Sequence, residues 1–331
     1  MGDVLSVGMV GSGGIARAHM RAIEASDNIR TVAVMDIDAG QAESAASEYG
    51  ARAYTSLDAL LDDSEVQGVH VCTPHNQHLE PVVKAAEAGK HVLVEKPMAL
   101  TLEECDGMMA ECEEAGVVLM VGQVVRHFPV SRKIKQLIAE GAVGEVGHMV
   151  RRRYGNFNPT PAPGQDKHWY LDLEAGGICV LYCFGPHEYD ILHWFIDSPV
   201  VKVYSQGNES TDRYAGQKDS YTTIMNHANG AVSVVSQTVV CHSGAHDQHV
   251  IGSEGSMMAT GSNLLLNGEA VELDGENRDG MVRQVQEFAT CCMEDTEPDA
   301  SAMSVRHTMA IIEAAKQSAE RGEVVMVSEF E

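Results

Sequence analysis

A buried strand that runs straight into a glycine turn and then a helix constrains this chain more than any other feature. Leu5–Val10 is an unbroken apolar run, Ile15–Ala25 has helical periodicity, and between them stands Gly11-Ser12-Gly13-Gly14-Ile15-Ala16. That stretch fits G-x-G-x-x-G/A in the strand-to-helix context that gives the motif meaning. Gly11 permits the tight turn, Gly13 lets the backbone approach a pyrophosphate, and Ala16 lets the helix close on the strand. Gly14 and Ile15 open the helix, whose first N–H groups and positive dipole end face the phosphates. The next strand, Arg30–Met35, ends at Asp36, about 25 residues beyond Gly11. An acidic side chain there accepts both ribose hydroxyls of NAD and repels the 2′-phosphate of NADP. With no Arg or Lys between Met35 and Glu48, NAD is expected as cofactor over NADP.

Strand and helix patterns keep alternating through the first 125 or so residues, which predicts parallel strands with crossover helices. Ala39–Tyr49 and His78–Ala88 read as helices, and Gly68–Cys72, His91–Glu95 and Val117–Val121 as strands. Thr101 with Glu104 forms a capping box for a helix ending near Gly116. The second half changes character. Ser131–Glu140 is one more helix, and then Asn229-Gly230 and Asn267-Gly268 mark hairpins between β-rich runs. Ser301 caps a final helix, Ala302–Arg321, with Gly322 at its end. The fold class is therefore α/β: an N-terminal Rossmann parallel sheet plus a C-terminal α+β domain with a large, mostly antiparallel open sheet. Residues 1–126 form the dinucleotide-binding domain. Residues 127–331 form the substrate-binding and oligomerisation domain, with the helix at about 302–321 packing back toward the first. Residues 156–167, rich in Pro and Gly, read as a loop or lid.

Composition removes several function classes. There are 23 basic and 48 acidic residues, a net charge of −25, and such a surface repels nucleic acid and anionic lipid. No apolar run reaches the ~18 residues of a membrane span. The start, Met1-Gly2-Asp3, leads at once into a strand without a basic, apolar leader. A cytoplasmic protein with eight reduced cysteines is expected.

Beyond the glycine turn, further stretches stand in order along nearly the whole chain. They are His19, Thr73-Pro74 with His78, Ala88-Gly89-Lys90-His91-Val92, and Glu95-Lys96-Pro97. Gly122 through Arg126 to Pro129, Gly185-Pro186-His187 with Asp190, and the Ala314–Gly322 helix end follow. On these residues the sequence resembles the glucose–fructose oxidoreductase / inositol dehydrogenase (Gfo/Idh/MocA) family of NAD(P)-dependent oxidoreductases. The resemblance implies a Rossmann domain followed by an α/β domain whose open sheet covers the nicotinamide. It implies cofactor contacts at Thr73, Pro74, His78, Glu95, Lys96 and Gln123, besides Gly11, Gly13, Gly14, Ile15 and Asp36. Lys96 takes the role of the E-K-P lysine beside nicotinamide and substrate. A lysine at the carboxyl end of a parallel strand also stands where such sheets bind ligands, able to stabilise a developing alkoxide. The family's D-x-G-x-H-x-x-D signature falls on Cys183 to Asp190, so His187 is the general base, an imidazole that titrates near neutral pH. Cys183 replaces the first aspartate, and a thiol orients a histidine weakly.

Other residues carry two readings each. Trp169 stacks on a sugar or fills core; Tyr154 and Asn156 end a strand that lines the cleft; Arg126 makes a salt bridge at the domain junction or touches substrate. Cys179, Cys183 and His187 recur at helical spacing, and Cys241-His242, His246 and His249 form a second cluster. A tetrahedral metal site needs further ligands, so no metal is assigned. The substrate set is Lys96, Tyr154, Trp169, Cys183, His187 and Asp190. The resulting expectation is hydride transfer between NAD and a secondary hydroxyl or ketone of a sugar, cyclitol or glycoside, by a homodimer or homotetramer. Two alternatives stay open: a redox-neutral glycosidase that retains NAD, and a non-catalytic dinucleotide-binding sensor or partner subunit.

Overall fold

The computed structural model describes residues 4–161 and 166–331; part of the lid expected at 156–167 therefore lies outside the described residues. The chain divides into two compact units. One runs to Val124 and includes Gly280–Arg306; the other holds Val125–Asp279 and His307–Glu331.

In the first unit the strands are β1 (Leu5–Val10), β2 (Ile29–Met35), β3 (Arg52–Tyr54), β4 (Gly68–Val71), β5 (His91–Val94) and β6 (Leu119–Val121). The helices between them are α1 (Gly14–Glu24), α2 (Ala39–Glu48), α3 (Leu57–Leu61), α4 (Leu79–Glu87) and α5 (Leu102–Ala115). The strands pair in parallel in the order β3-β2-β1-β4-β5-β6, so the order reverses between β1 and β4, where a ligand crevice opens at the carboxyl ends. β1 is buried throughout because helices cover both faces of a parallel sheet. The capping box at Thr101 and Glu104 is present, and Gly116 ends α5 with φ 64°.

The second unit begins with α6 (Pro129–Ala139), β7 (Val146–Asn156) and α7 (Leu173–Gly176). A π-helical turn over Cys179–Phe184 then leads into α8 (Gly185–Ile196). Next come β8 (Val200–Asn208), β9 (Ser220–His227), β10 (Val232–Thr238), β11 (Val240–Gly252), β12 (Ser256–Thr260), β13 (Asn263–Leu266) and β14 (Glu269–Val271). α9 (Gly280–Glu294) belongs to the first unit, α10 (Ala302–Arg321) starts there, and β15 (Val325–Met326) closes the second. The sheet order is β14-β13-β12-β11-β7-β10-β9-β8-β15. Its pairs are antiparallel except β7 with β10. Both Asn-Gly turns join hairpin strands, and Asn267 and Gly268 both take positive φ, 51° and 89°, as a tight two-residue hairpin turn requires.

Gly280–Arg306 lies where the sequence reading put the second domain. The apolar stripe of α9 explains its place: Val285, Phe288 and Ala289 share one buried cluster with Leu5, Val7, Met20 and Leu93 of the first unit. Among the described residues no helix is long and apolar enough to cross a membrane.

Candidate active site

One register row organises the first unit's carboxyl edge. Val10 pairs with Met35 on one side and Val71 on the other, Val71 pairs with Val94, and Val94 with Val121. Gly11, Asp36, Cys72-Thr73, Glu95-Lys96 and Gly122-Gln123 therefore all follow one line across the strands. Gly11 has φ +92°, and a Cβ there would lie 2.8 Å from the Cys72 carbonyl oxygen, so only glycine serves. At Gly13 and Gly14 a Cβ would meet nothing within 4 Å. Gly13 caps α1 without a side-chain hydrogen bond, which leaves the helix's first amides to an incoming anion. Ile15 stands 39% exposed beside them. This cradle fits a dinucleotide's pyrophosphate.

Asp36 holds the cradle in shape. Its Oδ2 accepts from the Ser12 amide (3.0 Å) and hydroxyl (2.7 Å), and its Oδ1 from the Asp38 amide (3.0 Å). Beneath Lys96 runs a buried chain of polar groups. Glu95 Oε2 accepts from the Lys96 amide (3.1 Å), Glu95 Oε1 lies 2.8 Å from His19 Nε2, and His19 Nδ1 lies 3.0 Å from His70 Nδ1. Burial pushes the Glu95 carboxyl up, but the His19 bond and the His19 and Lys96 charges outweigh it, leaving the group below its ordinary value. His70 is held well below its ordinary value by burial and by the His19 charge. His78, 0% exposed, spans two loops: Nδ1 reaches the Pro97 (3.0 Å) and Met98 (3.2 Å) carbonyls and Nε2 the Thr73 carbonyl (3.1 Å).

In the second unit, the π-helical turn delivers His187 to the first turn of α8, half-buried and preceded by Pro186. The next residues fix the helix. Glu188 takes Arg151, Tyr189 reaches Thr223 (2.8 Å), and Asp190 forms a bidentate pair with Arg126 at 2.7 and 2.6 Å. Thr308 donates to Asp190 as well (2.9 Å). Burial alone would raise Asp190, but the Arg126 charge and its hydrogen bonds hold it well below the carboxylate range. Trp169 lies in an aromatic group, with ring centroids 6.2 Å from His168 and 4.3 Å from Tyr170.

The model of an oxidoreductase family with an NAD-binding Rossmann fold matches residues 5–123, and that of the GFO/IDH/MocA C-terminal domain matches residues 131–258. The chain belongs to the Gfo/Idh/MocA family. It is 28% identical, over 84% of its length and 72% of the relative's, to 2,7-anhydro-N-acetylneuraminate hydratase of Mediterraneibacter gnavus. It is 28% identical to the NADP(+) D-xylose 1-dehydrogenase of Haloarcula marismortui, over 84% of this chain and 81% of that one. A levoglucosan dehydrogenase structure, in complex with NADH and levoglucosan, superposes with a TM-score of 0.89 over 98% of this chain and all of that one. At 21% identity that last match is one of fold.

Within this Gfo/Idh/MocA chain, several expected site residues have other employment. Asp190 gives both carboxylate oxygens to Arg126, so it anchors α8 instead of facing a ligand. His78 is sealed in the interior and ties the Thr73 loop to the loop after Lys96. Glu95 turns inward to His19. Gln123, like His78, is fully buried. Cys183 is 1% exposed inside the π-helical turn. Tyr154 donates to Ser236 (2.9 Å) on the open face of the sheet, whereas Arg151 and Arg153, its odd-numbered neighbours, meet Glu188 on the helix-covered face. His246 and His249 likewise fall on opposite faces, because side chains alternate along β11. Among the described residues no group of three or more His, Cys, Asp or Glu is placed to hold a metal ion.

Two functional candidates escaped the sequence reading. His70 was visible as the single polar residue in the run Gly68–Cys72. Arg153 was visible only as one of three consecutive arginines.

Proposed function

We propose that this chain is an NAD-dependent dehydrogenase acting on a secondary hydroxyl, or in reverse a ketone, of a sugar, cyclitol or glycoside. The row of strand ends carries the reading, because it sets Lys96 in line with the glycine cradle and Asp36. When bound, the nicotinamide supplies the hydride acceptor. Gly11, Gly13, Gly14 and Ile15 shape the pyrophosphate seat, and Asp36, exposed enough to accept ribose hydroxyls, disfavours a 2′-phosphate. Lys96 donates to the substrate oxygen and stabilises negative charge developing there. His187 takes the hydroxyl proton. Thr73 and Pro74 complete the cofactor side of the site, and Trp169 offers an aromatic face to the apolar side of a ring.

The test is NADH absorbance on mixing protein, NAD and a panel of sugars, cyclitols and glycosides. Lys96→Ala and His187→Ala should each lower kcat by about 10²–10⁴ while NAD affinity, read by calorimetry, survives. Unchanged turnover in either variant removes that residue from the mechanism. NADP should be used at least ~10-fold less efficiently than NAD, equivalent to about 1.4 kcal/mol.

The similarity to a hydratase favours a second reading, in which NAD stays bound and no net NADH forms. Stoichiometric NAD released on denaturing the purified protein, together with product but no absorbance change, would establish it.

Self-association through the open face of the second sheet is part of the proposal. Paired positions there run Tyr204, Ile224, Val234, Val150, His249, Met258 and Leu265 from β8 to β13. Tyr204, Ile224 and Met258 are 38%, 42% and 38% exposed.

A further inference from the structure

On the covered face of the second sheet two arginines share one carboxylate. Glu188, 2% exposed at its side chain, pairs closely with Arg151 and lies 3.5 Å from Arg153 Nε. Arg151 is fully engaged: it also meets Gln248 and, at 3.0 Å, His246 Nε2. Arg153 is not. The salt bridge to Glu188 is its single polar side-chain contact among the described residues, and it makes no hydrogen bond through its guanidinium Nη atoms. The guanidinium carbon lies 4.2 Å from the Phe184 ring centroid, and its side chain stays 29% exposed. Burial lowers the Arg153 guanidinium from its ordinary value; Glu188 opposes this and the Arg151 charge adds to it.

The place matters. Glu188 follows His187 directly, and Phe184 ends the π-helical turn that leads into α8. Phe184 also meets Phe157 (5.4 Å) and Tyr170 (6.4 Å), the latter in contact with Trp169. One excess positive charge, its fork open and its guanidinium against an aromatic ring, therefore sits within a residue or two of the proposed base and beside the aromatic group.

We propose that Arg153 recognises an anionic group, a carboxylate or a phosphate, carried by the sugar substrate. The inference names the substrate class of the dehydrogenase proposed above and rests on that reading for its chemistry. A guanidinium fork binds such oxyanions through paired N–H donors. The rest of the molecule leaves this task to a local group. A surface of net charge −25 repels an anion at long range, so an anionic ligand needs a local cation, and fields are screened beyond roughly 8 Å at physiological salt.

The test separates binding from turnover. D-glucose, D-glucuronate and D-glucose 6-phosphate, and the matching galactose series, are titrated by calorimetry into the full chain with NAD present; NADH formation is read in parallel. At least one anionic member should bind about tenfold or more tightly than its neutral parent. R153Q should bring the two within about twofold, chiefly through KM where turnover is seen. R153K, which keeps the charge without the fork, should retain more of a phosphate preference than of a carboxylate preference. Melting curves establish that both variants fold. Equal binding of neutral and anionic sugars, no binding by any anionic probe, or a preference that survives R153Q overturns the inference. Neutral sugars turned over as efficiently as acids would overturn it too, and leave the dehydrogenase intact. An Arg153-dependent preference without NADH would uphold the anion site and sink the dehydrogenase.

Discussion

His19 sits between two partners in the interior of the first unit, Glu95 and His70. The Glu95 carboxylate accepts, so His19 Nε2 carries hydrogen. His19 Nδ1 faces His70 Nδ1 at 3.0 Å, and one hydrogen serves that contact. His70 Nε2 has no hydrogen-bond partner. Protonating His70 would bury both a charge and an unpaired donor, which is why burial holds it neutral. The consequence is a pH dependence of folding with a definite sign. A histidine whose folded value is depressed binds fewer protons in the native state, so its contribution is complete above about pH 6.5 and is lost below it. His70→Leu should therefore narrow the difference in Tm between pH 7.5 and pH 5, whatever it does to Tm itself. An unchanged difference would show that His70 does not report through its protonation. The buried chain was half-legible in sequence: His19 and Glu95 stood in recognised stretches, but which side chains join beneath a strand end depends on register, and β4 and β5 had none assigned.

At the scale of elements, α8 carries His187, and three consecutive side chains tie that helix down. Asp190 is the strongest tie, a fully buried carboxylate with a bidentate arginine. Removing one member of such a pair strands the other charge, so Asp190→Asn should cost about 3–5 kcal/mol in chemical denaturation. Replacing both, Arg126→Met with Asp190→Leu, should cost less than the single change. A double variant no more stable than Asp190→Asn would mean that the charge pair itself, not charge neutrality, holds the helix. The acid side has its own sign. A depressed carboxylate contributes above its ordinary value near pH 4 and loses that contribution as pH falls below it, so the Asn variant should lose part of the wild-type acid limb. Elements differed in how plainly they could be read. The capping box at Thr101 and both Asn-Gly hairpins follow from local chemistry and were legible. The π-helical turn was not, because an apolar run such as Cys179–Phe184 suits α and π hydrogen bonding alike. Nor was the allegiance of α9: an apolar stripe says that a helix packs, not against which sheet.

At the scale of the whole molecule, the nine-strand sheet presents helices to one face and a half-exposed apolar row to the other. Parity makes the row: cross-strand partners point the same way, so Tyr204, Ile224, Val234, Val150, His249, Met258 and Leu265 line up across seven adjacent strands. An apolar band of that extent marks an interaction surface. A second copy is the occupant proposed here, since a sheet face meets its own twofold mate with like residues. The strong negative charge works against association, yet on this face Arg152 neutralises Asp247 at close range. Light scattering behind size exclusion should give a mass of two or four chains, not one. Ile224→Glu with Met258→Glu would then place two buried, unpaired carboxylates in each half of the interface. Such burial is costly enough that the variant should run as a monomer while its melting transition remains cooperative. A wild-type monomer at micromolar concentration would remove self-association from the proposal. An oligomer unmoved by the double substitution would relocate it to another surface and leave the apolar row without a partner.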